Sequence, residues 1–498
     1  MRSIVTPAEM AALDANTIKN IGVPGAVLME RAALTVAQAV HDRYPGMVLA
    51  VCGPGNNGGD GLAAARILHL WGREVFCWAK DTAYRGDALI QYEAVRKLGI
   101  PVLCTAEELA EALSRCGVVL DALFGTGLSR EVSEGWAQAI RAMNASGKSI
   151  VAVDIPSGID GRSGHVLGEA VTAVETVTFQ FAKTGHLLYP GRERTGRLTI
   201  ADIGCVDDPA LHEPRRVLDW ADAAFPPRRA DSHKGDYGHV AVVAGSAGML
   251  GAGALCARAA VRGGAGLVTW CVPQSMLCAA SELVLEAMIL PIPDEDGHFA
   301  PCSEEAVLSA LAGKTAAAIG PGLSRNEHTS AFVRNILKKI NIPMVVDADA
   351  LFGISGLSDP LPGKTGVLTP HPGELARLLG CSTADVERDP MAAVHRCALA
   401  TGCTAVLKGS TTLIDSGSAF TFNLTGNPGM ATGGSGDVLT GLTAALLAQG
   451  VPAYEAASRA CWLHGRAGDI AACRSQTSLA AGDIVECLPR AAGGEGEH

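Results

Sequence analysis

Two glycine-rich segments carry the side chains whose types and spacing could do chemistry. In residues 425–441, TGNPGMATGGSGDVLTG, the carboxylate of Asp437 lies among glycines and directly before an apolar segment. Such glycines let a backbone approach an anion closely, and the helix that follows would direct its free N–H groups at that anion. Asp437 is therefore either a cap of this helix or a general base beside a bound phosphate.

A lysine and several hydroxyl groups precede this segment in the chain. Residues 408–412, Lys-Gly-Ser-Thr-Thr, follow the apolar stretch TAVL, which predicts a strand. Together with a helix N-terminus, these groups are the ones that hold nucleotide phosphates. His371 lies at another strand end and either hydrogen-bonds a substrate or caps a helix. Asp347 and Asp349 lie near the same edge, where a capping role competes with one related to Mg²⁺.

The second glycine-rich segment, residues 53–61, reads GPGNNGGDG and follows a predicted strand. Gly53, Gly55 and Gly58 match the G-x-G-x-x-G pattern of dinucleotide-binding turns. No clear acidic residue ends the next strand, so the match is weak evidence for NAD as a redox cofactor. The segment instead predicts a turn that binds a phosphate-bearing ligand.

Polar side chains also end the following predicted strands. Asp121 ends one strand, and Asp154 ends the next, with Ser157 close behind it. Because ligands of open α/β sheets lie at the carboxyl ends of the strands, Asn57, Asp121 and Ser157 are expected to converge. Their oxygens carry one formal negative charge, which suits a monovalent cation better than zinc. Asp154 is a candidate acid or base, and the alternative for each aspartate is a cap on a helix or turn.

The elements that would position these residues alternate between strand and helix. Two amphipathic helices within 7–43 are broken at 22–25. In the first half, strands are then predicted at 48–52, 74–79, 117–122, 149–154, 174–180 and 197–203, and helices at 62–71, 86–97, 106–115 and 134–145. In the second half, strands are predicted at 239–245, 267–272, 315–319, 343–347, 366–369, 404–408 and 411–415, and helices at 252–262 and 436–473. This alternation predicts parallel α/β sheets covered by helices on both faces.

The composition sets the outer limits of the prediction. The length of 498 residues suggests roughly two or three domains. The net charge of −11 disfavours nucleic acid or an anionic membrane as a partner. A Pro-, Asp- and Arg-rich connection at 216–230 would separate domains at 1–215 and 231–490, and the tail 491–498 is predicted to fray. Scattered cysteines, without a C-x-x-C pair, favour a reducing cytoplasm. Neither a secretory signal nor a membrane span is expected.

Long motifs in both halves resemble known families. The second half resembles the ADP-dependent NAD(P)H-hydrate dehydratase domain in HKGDYGHVAVVAGSAGMLGAGALCARAAVRGGAGLV (233–268), LTPHPGE (368–374), VLKGSTT (406–412) and GNPGMATGGSGDVLTG (426–441). The first half resembles the NAD(P)H-hydrate epimerase domain in GPGNNGGDGLAAAR (53–66), DALFGTGLSRE (121–131) and VDIPSGID (153–160). Their fusion is similar to the bifunctional NAD(P)H-hydrate repair family. The resemblance implies a Rossmann-like three-layer α/β sandwich followed by a ribokinase-like α/β domain.

The resemblance also implies a pair of reactions on damaged cofactors. NADH and NADPH hydrated at C6 of the nicotinamide ring, NADHX and NADPHX, would be the substrates. The epimerase would interconvert the R and S hydrates. The dehydratase would use ADP to phosphorylate the 6-hydroxyl of the S epimer, after which phosphate leaves and AMP is the second product. A homo-oligomer is expected, because domains of both kinds often associate.

Residue by residue, the resemblance implies two binding sites. In the first domain it implies hydrate contacts by Asn56, Asn57, Gly58, Gly59, Asp60, Gly125, Thr126, Gly127, Leu128, Ser129, Arg130, Glu131 and Asp154. It implies a potassium ion on Asn57, Asp121 and Ser157, the trio that the strand ends also suggest. In the second domain it implies hydrate contacts by Ala252, Gly322, His371 and Asp437, with Asp437 as the base. It implies ADP, with Mg²⁺, on Lys408, Gly409, Ser410, Thr411, Thr412 and Gly436.

Other function classes stay open at this point. A ribokinase-like kinase for a vitamin-precursor alcohol would share the glycine-rich Gly-Asp segment, but it leaves the first half unexplained. Alternatively, the first domain could be a binding module without catalysis. The complete set of Asn57, Asp121, Asp154 and Ser157 speaks against that reading.

Overall fold

The computed structural model describes residues 3–354, 356–357 and 366–493, and the structural statements below concern these residues. The chain divides into two compact units, and the division falls between Arg215 and Arg216. The strands of the first unit are β1 (Ile4–Val5), β2 (Val48–Cys52), β3 (Val75–Trp78), β4 (Val102–Leu103), β5 (Val118–Ala122), β6 (Ser149–Val153), β7 (Glu175–Phe179), β8 (Ala182–Lys183) and β9 (Arg197–Ala201). Its helices are α1 (Pro7–Asn16), α2 (Gly25–Arg43), α3 (Asn56–Leu70), α4 (Gly86–Lys97), α5 (Ala106–Arg115), α6 (Glu134–Ala145) and α7 (Gly191–Thr195).

A seven-stranded parallel sheet forms the centre of the first unit. The strand order is β4-β3-β2-β5-β6-β7-β9, while β1 pairs with β8 separately. Along β2, Val48 and Ala50 belong to one buried cluster, and Leu49 and Val51 belong to another. Helices α2, α3 and α4 pack into the first cluster, and α5 and α6 pack into the second. These layers confirm the predicted three-layer sandwich, whose strands are apolar because both faces are buried.

The second unit contains a larger sheet. Its strands are β10 (Arg215–Val217), β11 (His239–Val243), β12 (Leu267–Pro273), β13 (Met288–Ile292), β14 (Ala316–Ile319), β15 (Met344–Val346), β16 (Gly366–Leu368), β17 (Thr404–Leu407), β18 (Thr412–Asp415) and β19 (Phe420–Asn423). The strand order is β10-β19-β18-β17-β16-β15-β14-β11-β12-β13. The strands from β17 to β13 in this order are parallel, and β18 pairs antiparallel with both of its neighbours.

Helices cover this second sheet. They are α8 (Trp220–Ala223), α9 (Leu250–Arg262), α10 (Leu277–Ser281), α11 (Glu304–Leu311), α12 (Glu327–Lys339), α13 (Ala348–Gly353), α14 (Pro372–Leu379), α15 (Thr383–Arg388), α16 (Pro390–Thr401), α17 (Ser435–Ala448), α18 (Ala453–Ala472) and α19 (Ala481–Gly493). Residues of α9, α17, α18 and α19 form one large buried cluster with the strands. Helix α17 is buried along most of its length, which explains its almost wholly apolar sequence.

The structure differs from the sequence predictions at several element boundaries. Helix α3 begins at Asn56, so only the first residues of the predicted loop 53–61 are irregular. The predicted helix 436–473 is two helices, because Gly450 adopts φ 83° and Pro452 follows it. Residues 216–230, predicted as a connection, contain the end of β10 and helix α8. Helix α19 extends over 491–493, where fraying was predicted, and the rest of that predicted tail lies outside the described residues.

Two further observations bear on the expected setting of the protein. All fifteen cysteines lie within the described residues, and each is a free thiol. Among the helices of the described residues, none combines the length and the apolar character that crossing a bilayer requires.

Candidate active sites

A cavity of about 1000 Å³ opens at the carboxyl ends of the central strands of the first unit. It is lined by most of the residues predicted to contact the hydrate, namely Asn56, Asn57, Asp60, Gly125, Thr126, Gly127, Leu128, Ser129, Arg130, Glu131 and Asp154. Gly58 and Gly59 are instead buried within the first turn of α3. The parallel sheet therefore brings the turn after β2, the loop after β5 and the end of β6 to one place.

Close packing explains why the turn after β2 needs glycine. A Cβ atom added to Gly53 would collide with the carbonyl oxygen of Leu123, and one added to Gly58 would collide with the carbonyl oxygen of Gly53. A Cβ atom on Gly59 would lie 2.8 Å from the Met29 side chain. These glycines let helix α3 start directly beside the neighbouring strand, so that Asn56 reaches the cavity.

Asp154 lies at the cavity in a backbone conformation that is unusual for a residue with a side chain. Its φ is 65°, which costs free energy for any residue other than glycine. Its Oδ1 accepts hydrogen bonds from Lys183 Nζ at 2.7 Å and from Thr178 Oγ1 at 2.9 Å. Its carbonyl oxygen accepts a hydrogen bond from His186 Nε2 at 2.8 Å. Asp154 is therefore held in place on both its side chain and its backbone.

Lys183 is the partner of Asp154 that sequence reasoning missed. Its side chain is 1% exposed, and its Nζ also donates to the Phe179 carbonyl at 3.1 Å. Burial alone would raise the pKa of Asp154, but the charge of Lys183 and its hydrogen bond outweigh burial and lower that pKa. Asp154 is therefore an ionised carboxylate near neutral pH. A single lysine within the apolar stretch FQFAK was the available signal.

Two further carboxyl groups line the same cavity, and their pKa values are raised, whereas that of Asp154 is lowered. Burial raises the pKa of Asp60 well above its usual range, and the charges of Asp154 and Asp14 add to that effect. Burial also raises the pKa of Asp14, on α1, against the opposing charge of Lys183. Neighbouring carboxyl groups with opposite shifts can act as a proton acceptor and a proton donor at one pH.

Of the trio predicted to hold a cation, Asn57 lines this cavity, whereas Asp121 and Ser157 are buried. Asp121 is fully buried, and its carboxylate accepts hydrogen bonds from Ser157 Oγ at 2.6 Å and from Ser157 N at 2.8 Å. The Asn57 amide nitrogen is buried without a partner among the described residues. Gly125 lies against this amide, since an added Cβ atom would be 3.2 Å from Asn57 Oδ1. The strand ends thus bring Asp121 and Ser157 into contact and place Asn57 beside the adjoining loop.

In the second unit, the start of α17 carries the other candidate carboxylate. The N-cap position is Gly434, with φ 90° and no side-chain cap, so Asp437 lies in the first turn and is not the N-cap. No described group hydrogen-bonds its carboxylate. The N–H groups of Gly436 and Asp437 also lack a helical acceptor, as expected in a first turn. This arrangement leaves two donors and one carboxylate available to a ligand.

The surroundings of Asp437 suit a proton acceptor. Burial raises the pKa of Asp437 to about 7, the charges of Asp347 and Asp349 contribute in the same direction, and Lys408 opposes them. A carboxylate with a pKa near the working pH is ionised often enough to act and basic enough to take a proton. The N-cap interpretation of Asp437 is wrong because Gly434 occupies that position, whereas the role of a base stays a prediction that these surroundings suit.

Lys408 lies directly over the first turn of α17. A Cβ atom added to Gly436 would be 3.4 Å from Lys408 Nζ. Burial lowers the pKa of Lys408, but the charges of Asp347 and Glu374 outweigh burial and raise it. The lysine is therefore a cation beside an uncapped helix N-terminus, which is an arrangement that binds phosphate.

The aspartates after β15 are already engaged by protein groups. Asp347 accepts hydrogen bonds from Lys408 and Thr440. Asp349 accepts one from Ser324 N at 2.9 Å and one from Arg325 Nε at 2.8 Å. Asp347 occupies the N-cap position of α13, but neither side chain makes a capping hydrogen bond to that helix. The side-chain capping role is therefore wrong, and the role related to Mg²⁺ stays a prediction.

His371 is the N-cap of α14. Its Nδ1 accepts hydrogen bonds from Gly373 N at 3.1 Å and from Glu374 N at 3.4 Å, and Glu374 accepts one from His371 N at 2.9 Å. The structure thus shows the capping alternative for Nδ1. The side chain remains 53% exposed, with Nε2 at 3.3 Å from Glu374 Oε1, so the outer edge of the ring can still meet a ligand.

Ala252 and Gly322 lie next to each other near the start of α17. A Cβ atom on Gly322, which has φ 63°, would be 3.0 Å from the Ala252 Cβ atom. Leu255, one turn further along α9, lies against Gly434 at the start of α17. The remaining predicted nucleotide contacts, Gly409, Ser410, Thr411 and Thr412, extend from Lys408 at the end of β17. The structure thus places these predicted residues along the carboxyl edge of the second sheet.

Comparisons with known proteins cover both units. The family described as NAD(P)H-hydrate dehydratase matches residues 240–490, and the family described as YjeF-related protein N-terminus matches residues 25–185. A solved structure of a hypothetical protein from Streptococcus mutans aligns with a TM-score of 0.50 at 24% identity, covering 56% of this chain and all of that one (100%). An ADP/ATP-dependent NAD(P)H-hydrate dehydratase from Bacillus subtilis, co-crystallised with ATP and Mg²⁺, aligns at 30% identity with a TM-score of 0.49, covering 56% and 97%.

Full-length relatives share both halves of the chain. The bifunctional NAD(P)H-hydrate repair enzyme Nnr of Moorella thermoacetica is 40% identical, over 98% of this chain and 96% of the relative. The enzyme of that name from Thermofilum pendens is 39% identical, over 97% and 95%. That from Escherichia coli is 34% identical, over 93% and 88%. The chain therefore belongs to the family of bifunctional NAD(P)H-hydrate repair enzymes.

Proposed function

We propose that the chain repairs hydrated NAD(P)H in two steps. The first unit interconverts the R and S hydrates, and the second dehydrates the S hydrate with ADP, releasing AMP and phosphate. The proposed limits of the two catalytic domains are 1–215 and 216–490, because the predicted connection 216–230 contributes Leu218 and Ala223 to the buried cluster of the second unit. The observation that carries the proposal is the start of α17, which has no side-chain cap and holds the Asp437 carboxylate beside Lys408. This helix start supplies a base and an anion site in one place.

This geometry supports the following course for the dehydration. Asp437 takes the proton of the substrate's 6-hydroxyl group as that oxygen attacks the β-phosphorus of ADP, and AMP leaves. Lys408 and the N–H groups at the start of α17 stabilise the charge of the transferred group. The C6–O bond then breaks with its electron pair on phosphate, a proton passes from C5 to solvent water, and the C5–C6 double bond of the ring returns. Mg²⁺ is proposed to bind the nucleotide's own phosphates, where it neutralises their charge.

The remaining predicted residues bind the two ligands of this site. Ala252, Gly322 and the outer edge of His371 are proposed to contact the hydrate, because they line the same edge as Asp437. Residues 408–412, with Gly436, are proposed to hold the adenine nucleotide. The exposed Gly409 lets the chain pass close to phosphate oxygens.

The epimerisation uses a carboxylate and a carboxylic acid in the cavity of the first unit. We assign the acid to Asp60, which protonates the departing 6-hydroxyl group so that water leaves the ring. Asp154 takes a proton from the water that adds to the opposite face, so one water leaves and one returns. The loop 125–131 and Asn56 are proposed to hold the rest of the dinucleotide.

Asn57, Asp121 and Ser157 fit a potassium ion. The buried Asp121 carboxylate has no cationic partner, and burial raises its pKa to about 6. A half-turn of the partnerless Asn57 amide would present its oxygen in place of the nitrogen. When bound, the cation would supply the missing positive charge and fix the loop after β5, whose Phe124 N donates to Ser157 Oγ at 2.8 Å.

A potassium requirement confined to epimerisation is the expected consequence. Exchanging K⁺ for the larger tetramethylammonium ion at constant ionic strength should slow epimerisation and leave dehydration of the pure S hydrate unchanged. Rates of the two reactions, measured separately, test this. Asp121→Asn should abolish the response to K⁺, and a potassium response that survives in Asp121→Asn would place the ion elsewhere.

The overall function is tested on a mixture of R and S NADHX with ADP. The recovery of NADH is followed by the absorbance of its dihydronicotinamide ring, and full recovery is expected. Recovery that stops at the S fraction, beyond slow spontaneous epimerisation, would show that the first unit is a binding module. Absence of recovery, with phosphorylation of a vitamin-precursor alcohol, would show a kinase instead.

A further inference from the structure

A single buried carboxylate joins the lysine and the helix of the proposed dehydratase site. Asp347 follows β15 and is 1% exposed. Its Oδ1 accepts a hydrogen bond from Lys408 Nζ at 2.7 Å, and its Oδ2 accepts one from Thr440 Oγ1 at 2.6 Å. One side chain thus holds the residue after β17 and the second turn of α17 together.

Thr440 ties this carboxylate to the first turn of α17. The residue is fully buried, and its Oγ1 also lies 3.1 Å from the carbonyl oxygen of Gly436. Gly436 faces the ion pair, because an added Cβ atom would be 3.4 Å from Lys408 Nζ and 3.7 Å from Asp347 Oδ2. The ammonium, the carboxylate and the helix start therefore meet at Gly436.

The Lys408 ammonium keeps donors for a ligand in this arrangement. A lysine ammonium has several N–H donors, and among the described residues only Asp347 accepts a hydrogen bond from Nζ. A flexible lysine on its own would point in many directions, at a cost in entropy when it is ordered. Asp347 has already restricted it to the side of α17.

We propose that Asp347 is a positioning residue for phosphoryl transfer, which aims the Lys408 ammonium at the nucleotide phosphates and holds the start of α17 in register with it. This inference rests on the proposed dehydration, since it assigns a role within that same site. A merely structural ion pair would instead stabilise the fold without affecting nucleotide binding or proton transfer.

The charge of Asp347 has a second consequence for Asp437. The charged and titratable groups that face Asp437 are Asp347, Asp349 on α13, Lys408 and the Cys256 thiol on α9. After burial, Asp347 is the largest cause that raises the pKa of Asp437. A base works when it is ionised, so dehydration falls as the pH drops through this pKa. Removing the charge of Asp347 lowers the pKa of Asp437. The acid limb of the pH profile of dehydration then moves to lower pH.

The test compares variants of the full chain in two measurements. Thr440→Val and Asp347→Asn are expected to weaken ADP binding, measured by calorimetry, by roughly tenfold or more. Asp347→Asn is also expected to move the acid limb of kcat/KM for the S hydrate lower by on the order of one pH unit. Thr440→Ser, which keeps the hydroxyl group, should restore ADP binding.

Thr443→Val is the matched control. Thr443 is buried on the same helix, but its hydroxyl donates at 2.7 Å to Leu439 within that helix and does not reach Asp347. The ADP affinity and the pH profile of the Thr443→Val variant should equal those of the unmodified chain. Equal effects of Thr440→Val and Thr443→Val on ADP affinity would overturn the inference. Asp347→Asn would also overturn it if both its ADP affinity and the acid limb of its kcat/KM profile were unchanged.

The inference and the proposed function fail in different ways. If the unmodified chain recovers no NADH with ADP, the proposed function is wrong, and ADP calorimetry on the same variants still decides the role of Asp347. If Asp347→Asn does not fold, as judged by thermal unfolding, the comparison of Thr440→Val with Thr443→Val decides it.

Discussion

Replacing Asp437 by asparagine is expected to lower the rate of ADP-dependent dehydration by about 10²-fold or more, the scale of general-base catalysis. The amide keeps the size of the side chain but cannot take the proton of the 6-hydroxyl group. The rate is measured on the pure S hydrate with saturating ADP. Epimerisation should be unchanged, because the cavity proposed for it is built by the first unit alone.

Stability separates the chemical role of Asp437 from a structural one. The half-buried carboxylate accepts no hydrogen bond from the described residues, and burial together with two neighbouring carboxylates outweighs the attraction of Lys408, so its ionised form is disfavoured on balance. Asp437→Asn should therefore unfold at the same temperature as the unmodified chain or higher. Asp385→Asn, which alters an exposed helix cap, is the control that should keep the full dehydration rate. Near-normal dehydration in Asp437→Asn would exclude it as the base.

Replacing Asp154 by alanine is expected to abolish epimerisation, with a loss of about 10²-fold or more, and to leave dehydration of the S hydrate intact. The variant removes the proposed proton acceptor and leaves the buried Lys183 without its ion partner. The measurement is the consumption of the R hydrate in the presence of ADP. It should fall to the rate of spontaneous epimerisation.

A companion variant keeps this result interpretable. Alanine is strained at φ 65°, whereas asparagine tolerates the left-handed region better. Asp154→Asn should therefore remain closer to native stability and still lose epimerisation. If Asp154→Asn retained the native epimerisation rate while Asp154→Ala lost it, Asp154 would be a turn residue, and the base would have to be sought elsewhere in the cavity.

Local patterns in the sequence predicted most of the framework. Helices 86–97, 106–115 and 134–145 and strand 48–52 have the predicted bounds, because their apolar spacing and flanking residues are local properties. The start of α3 was missed, since glycines normally interrupt helices and only tertiary packing shows that Gly58 and Gly59 must be small. The break before α18 was missed because the flanking apolar residues continue across it.

For the candidate site residues, the sequence predicted their positions in the chain's elements but not their contacts. The sequence by itself determined that Asp121 and Asp154 stand at strand ends, that Asn57 belongs to the glycine-rich segment after a strand, and that Asp437 opens a helix after glycines, because strand ends and helix starts are marked by neighbouring residues. Only the tertiary structure decided their partners. Lys183 reaches Asp154 across 29 positions, and Thr440 reaches Asp347 across 93.

Contacts between distant residues also bear on the chemical roles proposed for these side chains. From the sequence, a cap and a base were both possible for Asp437, because both need a carboxylate at a helix start, and the neighbouring motifs favoured the base. The structure places Gly434 at the N-cap position and the charge of Asp347 close to Asp437, which removes the N-cap role and supports the base as a proposal. Burial and neighbouring charge set the proton affinity of a carboxylate, and both depend on which remote segments the fold packs around it.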